Sequence, residues 1–154
     1  MADFLRDTRR SYDAAADDYA DWIQGELATK PLDRAMLTAF ADVVDGPVAD
    51  IGCGTGRITA FLRDLGVPVF GVDLSPRMVA VARRAHPDLR FTEGSMTALD
   101  IEDGTLDFHH RRPERVAELL AAAGLTVRAT LVRAPDGGGD HPEDTPQAFV
   151  LASG

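Results

Sequence analysis

The sequence predicts an α/β protein with a mostly parallel sheet and a C-terminal antiparallel strand pair. Three observations carry that prediction. Short apolar runs at 47–51, 67–72 and 89–92 alternate with segments of helical spacing. The first run ends in a glycine-rich turn, Asp50-Ile51-Gly52-Cys53-Gly54-Thr55-Gly56, that opens a helix. The second run ends at an acid, Asp73, 21 residues after Gly52.

The elements follow in order. Phe4, Tyr12, Ala15, Tyr19, Trp22 and Ile23 lie near helical spacing and predict a helix over about 3–24. Pro31 suits the first turn of a second helix, with Leu32, Ala35, Met36, Ala39, Phe40 and Val43 on one stripe. The strand at 47–51 runs into the glycine turn. A helix then places Ile58, Phe61, Leu62 and Leu65 inward and closes at Gly66. Val67–Val72 is the second strand. Ser75-Pro76 supplies the cap and first residue of the next helix, with Met78, Val81, Ala82 and Ala85 inward. Leu89–Thr92 is the third strand. A helix over 113–123 closes at Gly124, and strands near 125–133 and 147–152 flank an acidic Gly/Asp/Pro loop, the mark of an antiparallel pair. Strands that alternate with helices imply βαβ units with right-handed crossovers.

The 154 residues carry 25 acids against 16 Lys and Arg, a net charge of -9. Phosphate backbones and anionic membranes repel such a surface, so nucleic-acid or membrane partners are not expected. The densest basic cluster, Arg111, Arg112 and Arg115, reads as a solvated helix start. No run approaches the ~20 apolar residues of a membrane span. The acid-studded N-terminus predicts no leader peptide, and the lone cysteine suits a reducing cytoplasm.

The glycine turn sits where a strand meets a helix, the ligand position in open α/β sheets. A phosphate-cradling loop needs Lys-Ser/Thr after its last glycine, but Arg57-Ile58 follows here. A dinucleotide fingerprint needs glycine at 57. The acid Asp50, just before the turn, argues for a ligand with a positive group. Asp73 has the spacing of a carboxylate that accepts hydrogen bonds from ribose hydroxyls. A nucleoside carrying a cation and no phosphate meets these demands, and S-adenosylmethionine (SAM) has that chemistry.

Residues 10–97 resemble a class I SAM-dependent methyltransferase of the small-molecule type. The resemblance rests on RRSYDAAADDYADW, on VADIGCGTGRITAFLRDLGVPVFGVDLSPRMVAVARRAHPDLRF and on TEGSMTALDIEDGTLD. It implies a Rossmann-like, doubly wound sheet. It implies a single domain over 1–154: a helical cap over 1–45, a cofactor half over 46–104 and a shortened C-terminal half over 105–154. In that family Asp50 would hold the amino group of the methionine moiety, with Gly52, Cys53 and Gly54 supplying backbone around it. Asp73 would grip the ribose, Leu74 and Met78 would pack on the adenine, and Ser95 and Met96 would edge the ring. Serine stands at 95 where the family more often has aspartate, which weakens that contact. Tyr12 and Tyr19 match the tyrosines of a helix that covers the cofactor; ordinary core aromatics are the other reading. The Cys53 side chain reads as a small packed residue.

Methyl transfer asks for in-line approach and exclusion of water, with a general base in many members. His109 and His110 are the candidates for that base, against the reading of surface histidines before a helix. No spacing suggests a metal site. The resemblance breaks after Gly104-Thr105-Leu106-Asp107, the start of a fourth strand. The chain then runs at once into Phe108-His109-His110, which resembles the approach to the last family helix. This pattern reads as an internal deletion, natural or engineered, on the acceptor side. Residues 105–110 could serve as strand four, or the C-terminal pair could dock beside strand one or in a partner chain. An open sheet edge invites a second copy, so a homodimer is expected, with exchanged C-terminal elements as one form. Function then reads as SAM-dependent methyl transfer to a small-molecule acceptor, with S-adenosylhomocysteine (SAH) as product. The alternative is a SAM- or SAH-binding module without turnover. A nicotinamide-dependent oxidoreductase is a third reading, disfavoured by Arg57.

Overall fold

The computed structural model describes residues 2–95, 112–138, 140 and 142–153. These fall into two units, one within Met1–Phe108 and one within His109–Gly154. The first holds helices α1 (Ala2–Ile23), α2 (Glu26–Thr29) and α3 (Pro31–Val43). Strand β1 (Val48–Ile51), helix α4 (Arg57–Asp64), strand β2 (Val69–Asp73), helix α5 (Pro76–Ala85) and strand β3 (Phe91–Glu93) complete it. The second holds helix α6 (Pro113–Ala122) and strands β4 (Thr126–Arg133) and β5 (Gln147–Ser153).

The parallel sheet has the order β1-β2-β3. Asp50 aligns with Gly71 and Asp73 with Glu93, so the strand-end acids reach the same edge. Helices α4 and α5 make the two crossovers that parallel pairing requires. This is the first half of a doubly wound sheet. In the second unit β4 and β5 pair antiparallel from Thr126–Ser153 to Arg133–Gln147, as the loop between them predicts. Arg133 is buried there and pairs with Glu143 across that loop. The expected fourth strand at 105–110 lies outside the described residues.

Local chemistry sets the boundaries. Ser75 caps α5 by accepting a hydrogen bond from the Met78 amide at 3.0 Å, and Pro76 occupies the first turn. Gly66 and Gly124 take positive φ after their helices, as the sequence predicts. The one-turn α2 is not evident from periodicity. It starts at Gly25, whose φ of 77° bends the chain between α1 and α3.

The core lies between the sheet and α5. Phe91 and Cys53 meet Val79 and Ala82, with Leu89 packed against them. A second cluster joins α1 to α5 through Ala16, Met78 and Val81. Three helix faces depart from the predicted stripes. On α1 the buried positions are Ala16 and Ile23, while Tyr12 and Trp22 are exposed, because the small Ala16 allows close approach to α5. On α4 the inward side is Thr59, Ala60 and Leu62, and Leu65 is exposed. On α5 Val79 is buried and Ala85 exposed. The α3 stripe has no buried member; Leu32 and Val43 are exposed.

One glycine in the turn is fixed by packing. Gly56 begins α4 at φ 82°, and an added Cβ would stand 2.7 Å from Cζ of Phe91. Gly25 has a similar φ with no described atom within 4 Å of an added Cβ. Gly56→Ala should therefore lose about 2–4 kcal/mol by urea unfolding, from positive φ and overpacking together. Gly25→Ala should lose only the conformational part, about 1–2 kcal/mol. Equal losses would contradict the packing account.

Candidate functional site

The glycine turn that leaves β1 is anchored at both ends. Its first amides remain tied to the sheet: Gly52 N and Cys53 N both donate to the Val72 carbonyl, at 2.8 and 3.1 Å. Its far end enters α4, where Ala60 N donates to the Gly56 carbonyl at 2.8 Å. Between these anchors Gly52, Gly54 and Gly56 all take positive φ, a conformation that L side chains resist.

Asp73 holds the turn from β2. Its Oδ2 accepts the Gly54 amide at 2.8 Å and its Oδ1 accepts the Ser75 amide at 2.9 Å. One carboxylate thus fixes the glycine turn and the start of α5. Each oxygen keeps a lone pair that a ligand hydroxyl can use. No described atom stands within 4 Å of a Cβ added at Gly54, so a ligand can approach the backbone there.

Asp50 is half-buried at the end of β1, and its Oδ2 accepts the Thr59 hydroxyl at 2.6 Å. Burial raises its carboxyl above the ordinary value, opposed mainly by the Thr59 hydrogen bond; the nearby Asp73 charge adds to the rise. A positive ligand group beside Asp50 would favour its ionised form. The Cys53 thiol is buried in the core, and burial lifts its pKa strongly, so it packs rather than reacts.

A second cluster stands beside the turn. Arg57, at the start of α4, pairs with the buried Glu26 of α2, Nη1 to Oε2 at 2.8 Å. Burial raises the Tyr19 phenol, opposed by the charge of the nearby Arg57. Tyr19 packs at 5.9 Å between ring centres on Trp22. Arg57 therefore joins the turn to the helical segment through Tyr19 and Glu26.

The sheet thus gathers Asp50, Gly52, Cys53, Gly54, Asp73 and Leu74 at one edge, and Ser95 follows two residues after β3. Tyr19 joins this edge through Arg57. Tyr12 is 53% exposed. Met78 is 1% exposed and its side chain lies in the seam between α1 and α5. Met96, His109 and His110 lie outside the described residues. Thr59, Glu26 and the partnership of Arg57 are additions that no motif marks. Only the nine-residue step from Asp50 to Thr59, one turn plus the start of a helix, offers a signal in the sequence.

Known proteins share these features. Residues 48–129 match the family described as the methyltransferase domain. A demethylmenaquinone methyltransferase from Beutenbergia cavernae is 42% identical over 74 residues, 48% of this chain and 31% of that protein. A trans-aconitate 2-methyltransferase from Escherichia coli is 36% identical over 108 residues, 69% of this chain and 34% of that protein. Among solved structures, magnesium protoporphyrin IX methyltransferase from Synechocystis with bound SAH superposes with a TM-score of 0.71 at 13% identity. That superposition covers 96% of this chain and 98% of that one, and it is a likeness of fold. The chain belongs to the methyltransferase-domain family, as the glycine turn and Asp73 imply. It spans about a third of the length of these curated relatives. Among the described residues no helix is long and apolar enough to cross a membrane.

The raised Asp50 carboxyl gives a signed expectation. A folded-state pKa above the unfolded value means that the protonated acid favours the fold, and that the ionised acid costs stability as pH rises past the raised value. Asp50→Asn removes that cost and keeps an acceptor for Thr59. Thermal unfolding at pH 7 should show the variant melting above the parent, with the gap closing as pH falls toward about 4. A variant that melts lower at pH 7 would contradict the burial account.

Proposed function

We propose that this chain binds SAM at the glycine turn and transfers its methyl group to a small-molecule acceptor. The observation that carries the reading is the Asp73 carboxylate held against Gly54 at a turn with an open glycine face. When bound, SAM supplies an electrophilic methyl: the acceptor's lone pair bonds to that carbon, the carbon–sulfur bond breaks, its electrons stay on sulfur in SAH, and the acceptor sheds a proton.

The residues present suit that group. Asp73 would accept from ribose hydroxyls through its remaining lone pairs. Asp50 would face the ammonium of the methionine moiety, and its ionised form would be favoured there. Gly52, Cys53 and Gly54 would line the moiety with backbone, and Leu74 and Ser95 would border the adenine. Met78 would support that wall from beneath, and Met96 would complete it. Tyr19, set by Arg57, and the exposed Tyr12 would close the site from α1. His109 or His110 would take the acceptor's proton.

A SAM- or SAH-binding module without turnover is the second reading. The break in the resemblance at Leu106-Asp107-Phe108, on the acceptor side, favours it. A second copy of the chain is the proposed protein partner, and a reducing cytoplasm, suited to the single cysteine, is the proposed compartment.

Calorimetry with SAM, SAH and NAD tests the cofactor. Heat with SAM and SAH and none with NAD is expected; no heat with either sulfur ligand would overturn both readings. Asp73→Ala should weaken SAH binding by roughly 1.5–3 kcal/mol, about 10- to 150-fold. Unchanged affinity would remove Asp73 from the site. Turnover of labelled SAM over an acceptor panel separates enzyme from binder. Light scattering should give twice 16.5 kDa, and a monomer mass would contradict the dimer.

A further inference from the structure

One face of α1, formed by Asp13, Ala16, Asp17 and Ala20, lies along α5. Its apolar part is the seam of Ala16 with Met78 and Val81. Its polar part is unevenly built. Asp17 makes exposed ion pairs with Arg77 at 2.5 Å and Arg84 at 3.1 Å. Solvent screens such pairs, and each is worth little. Asp13 is different. Its Oδ1 accepts the Ser75 hydroxyl at 2.6 Å and the Arg77 amide at 3.3 Å. Ser75 is fully buried, and its hydroxyl oxygen also accepts the Met78 amide. The Ser75 amide meanwhile donates to Asp73.

These bonds form one line. It runs from Asp13 on α1 to the Ser75 hydroxyl, through the Ser75 backbone to Asp73, and on to the Gly54 amide in the turn. The ends of the line are far apart in sequence and belong to different elements. A charge-assisted bond to a fully buried hydroxyl is strong, and loss of its acceptor leaves that hydroxyl without its partner. One turn before Asp13, Arg9 stands 3.9 Å from Asp13 Oδ2 and pairs with Glu93 at 2.8 Å at the end of β3. Helix α1 is thereby fastened to the sheet edge on which the site stands.

We propose that Asp13 is a positioning residue: through Ser75 it fixes the orientation of Asp73 and hence the Gly54 face of the turn. It touches no ligand itself. Its effect on ligand affinity rests on the proposed SAM reading, whereas its hold on Asp73 does not.

The test compares Asp13→Ala with Asp13→Asn and Asp17→Ala in the full chain. Asn keeps an Oδ1 that accepts from Ser75 and Arg77. Asp17→Ala removes two ion pairs from the same face without touching the line to Asp73. Residue-resolved amide exchange is measured on the ligand-free protein, and SAH affinity is measured by calorimetry. In Asp13→Ala, exchange at Gly54 and Ser75 should speed by ~10-fold and SAH affinity should fall by a similar factor, the scale of one charge-assisted hydrogen bond. Asp13→Asn should stay within ~3-fold of the parent and Asp17→Ala within ~2-fold. If Asp13→Ala does not fold, Asp13→Ser, too short to reach the Ser75 hydroxyl, carries the same expectation. Exchange at Gly54 and Ser75 no faster than in Asp17→Ala overturns the proposal, whatever the ligand does. Faster exchange with unchanged SAH affinity overturns the link to binding. Faster exchange in a protein whose parent binds no SAH upholds the hold on Asp73 and removes the cofactor reading instead.

Discussion

The Asp73 carboxylate is the joint on which the site depends. Parallel pairing carries β1 and β2 to the same edge, but pairing alone leaves a glycine-rich turn free to take many shapes. Asp73 removes that freedom by accepting the Gly54 amide with one oxygen and the Ser75 amide with the other. Buried backbone donors need acceptors, and here a single side chain at a strand end serves two segments. The same group is left with lone pairs toward the open face of Gly54. Structure and ligand recognition therefore share one carboxylate.

Packing beneath the turn explains why so few residue types fit it. Phe91 fills the space under Gly56 and Gly71, where an added Cβ would collide with its ring. Cys53 and Ala82 complete that floor. The floor is rigid and apolar, while the upper side carries Asp50, Asp73 and Arg57. Arg57 is the residue that separates this turn from a dinucleotide fingerprint. Its guanidinium offsets the cost of burying Glu26 and reaches Tyr19, so the departure from that fingerprint becomes a link between the turn and the N-terminal helices.

Much of this was legible in the sequence because it is local. The glycine turn, the Ser75-Pro76 cap and Asp73 are each written in a few adjacent residues, and parallel topology follows from the alternation of elements. The β4–β5 pair is legible for the same reason, through the loop between its strands. What escaped was set by packing between distant segments. Asp13 and Ser75 are 62 residues apart, and Glu26 and Arg57 meet only once α2 is folded. Helix faces in alanine-rich segments are also weakly marked in the sequence. Ala15 and Ala16 are alike in hydropathy, and only the neighbour on α5 decides which is buried. The stripe on α3 shows the converse, since apolar spacing is present although none of its residues is fully buried.

The central claim is that the Asp73-braced turn is where the cofactor sits. The most direct measurement is a titration of the isotopically labelled chain with SAH, followed at the backbone amides. The account predicts saturable shifts at Gly52, Gly54 and Ser75, with a single affinity that matches the calorimetric one. Saturating SAH that leaves these three amides unmoved would contradict it.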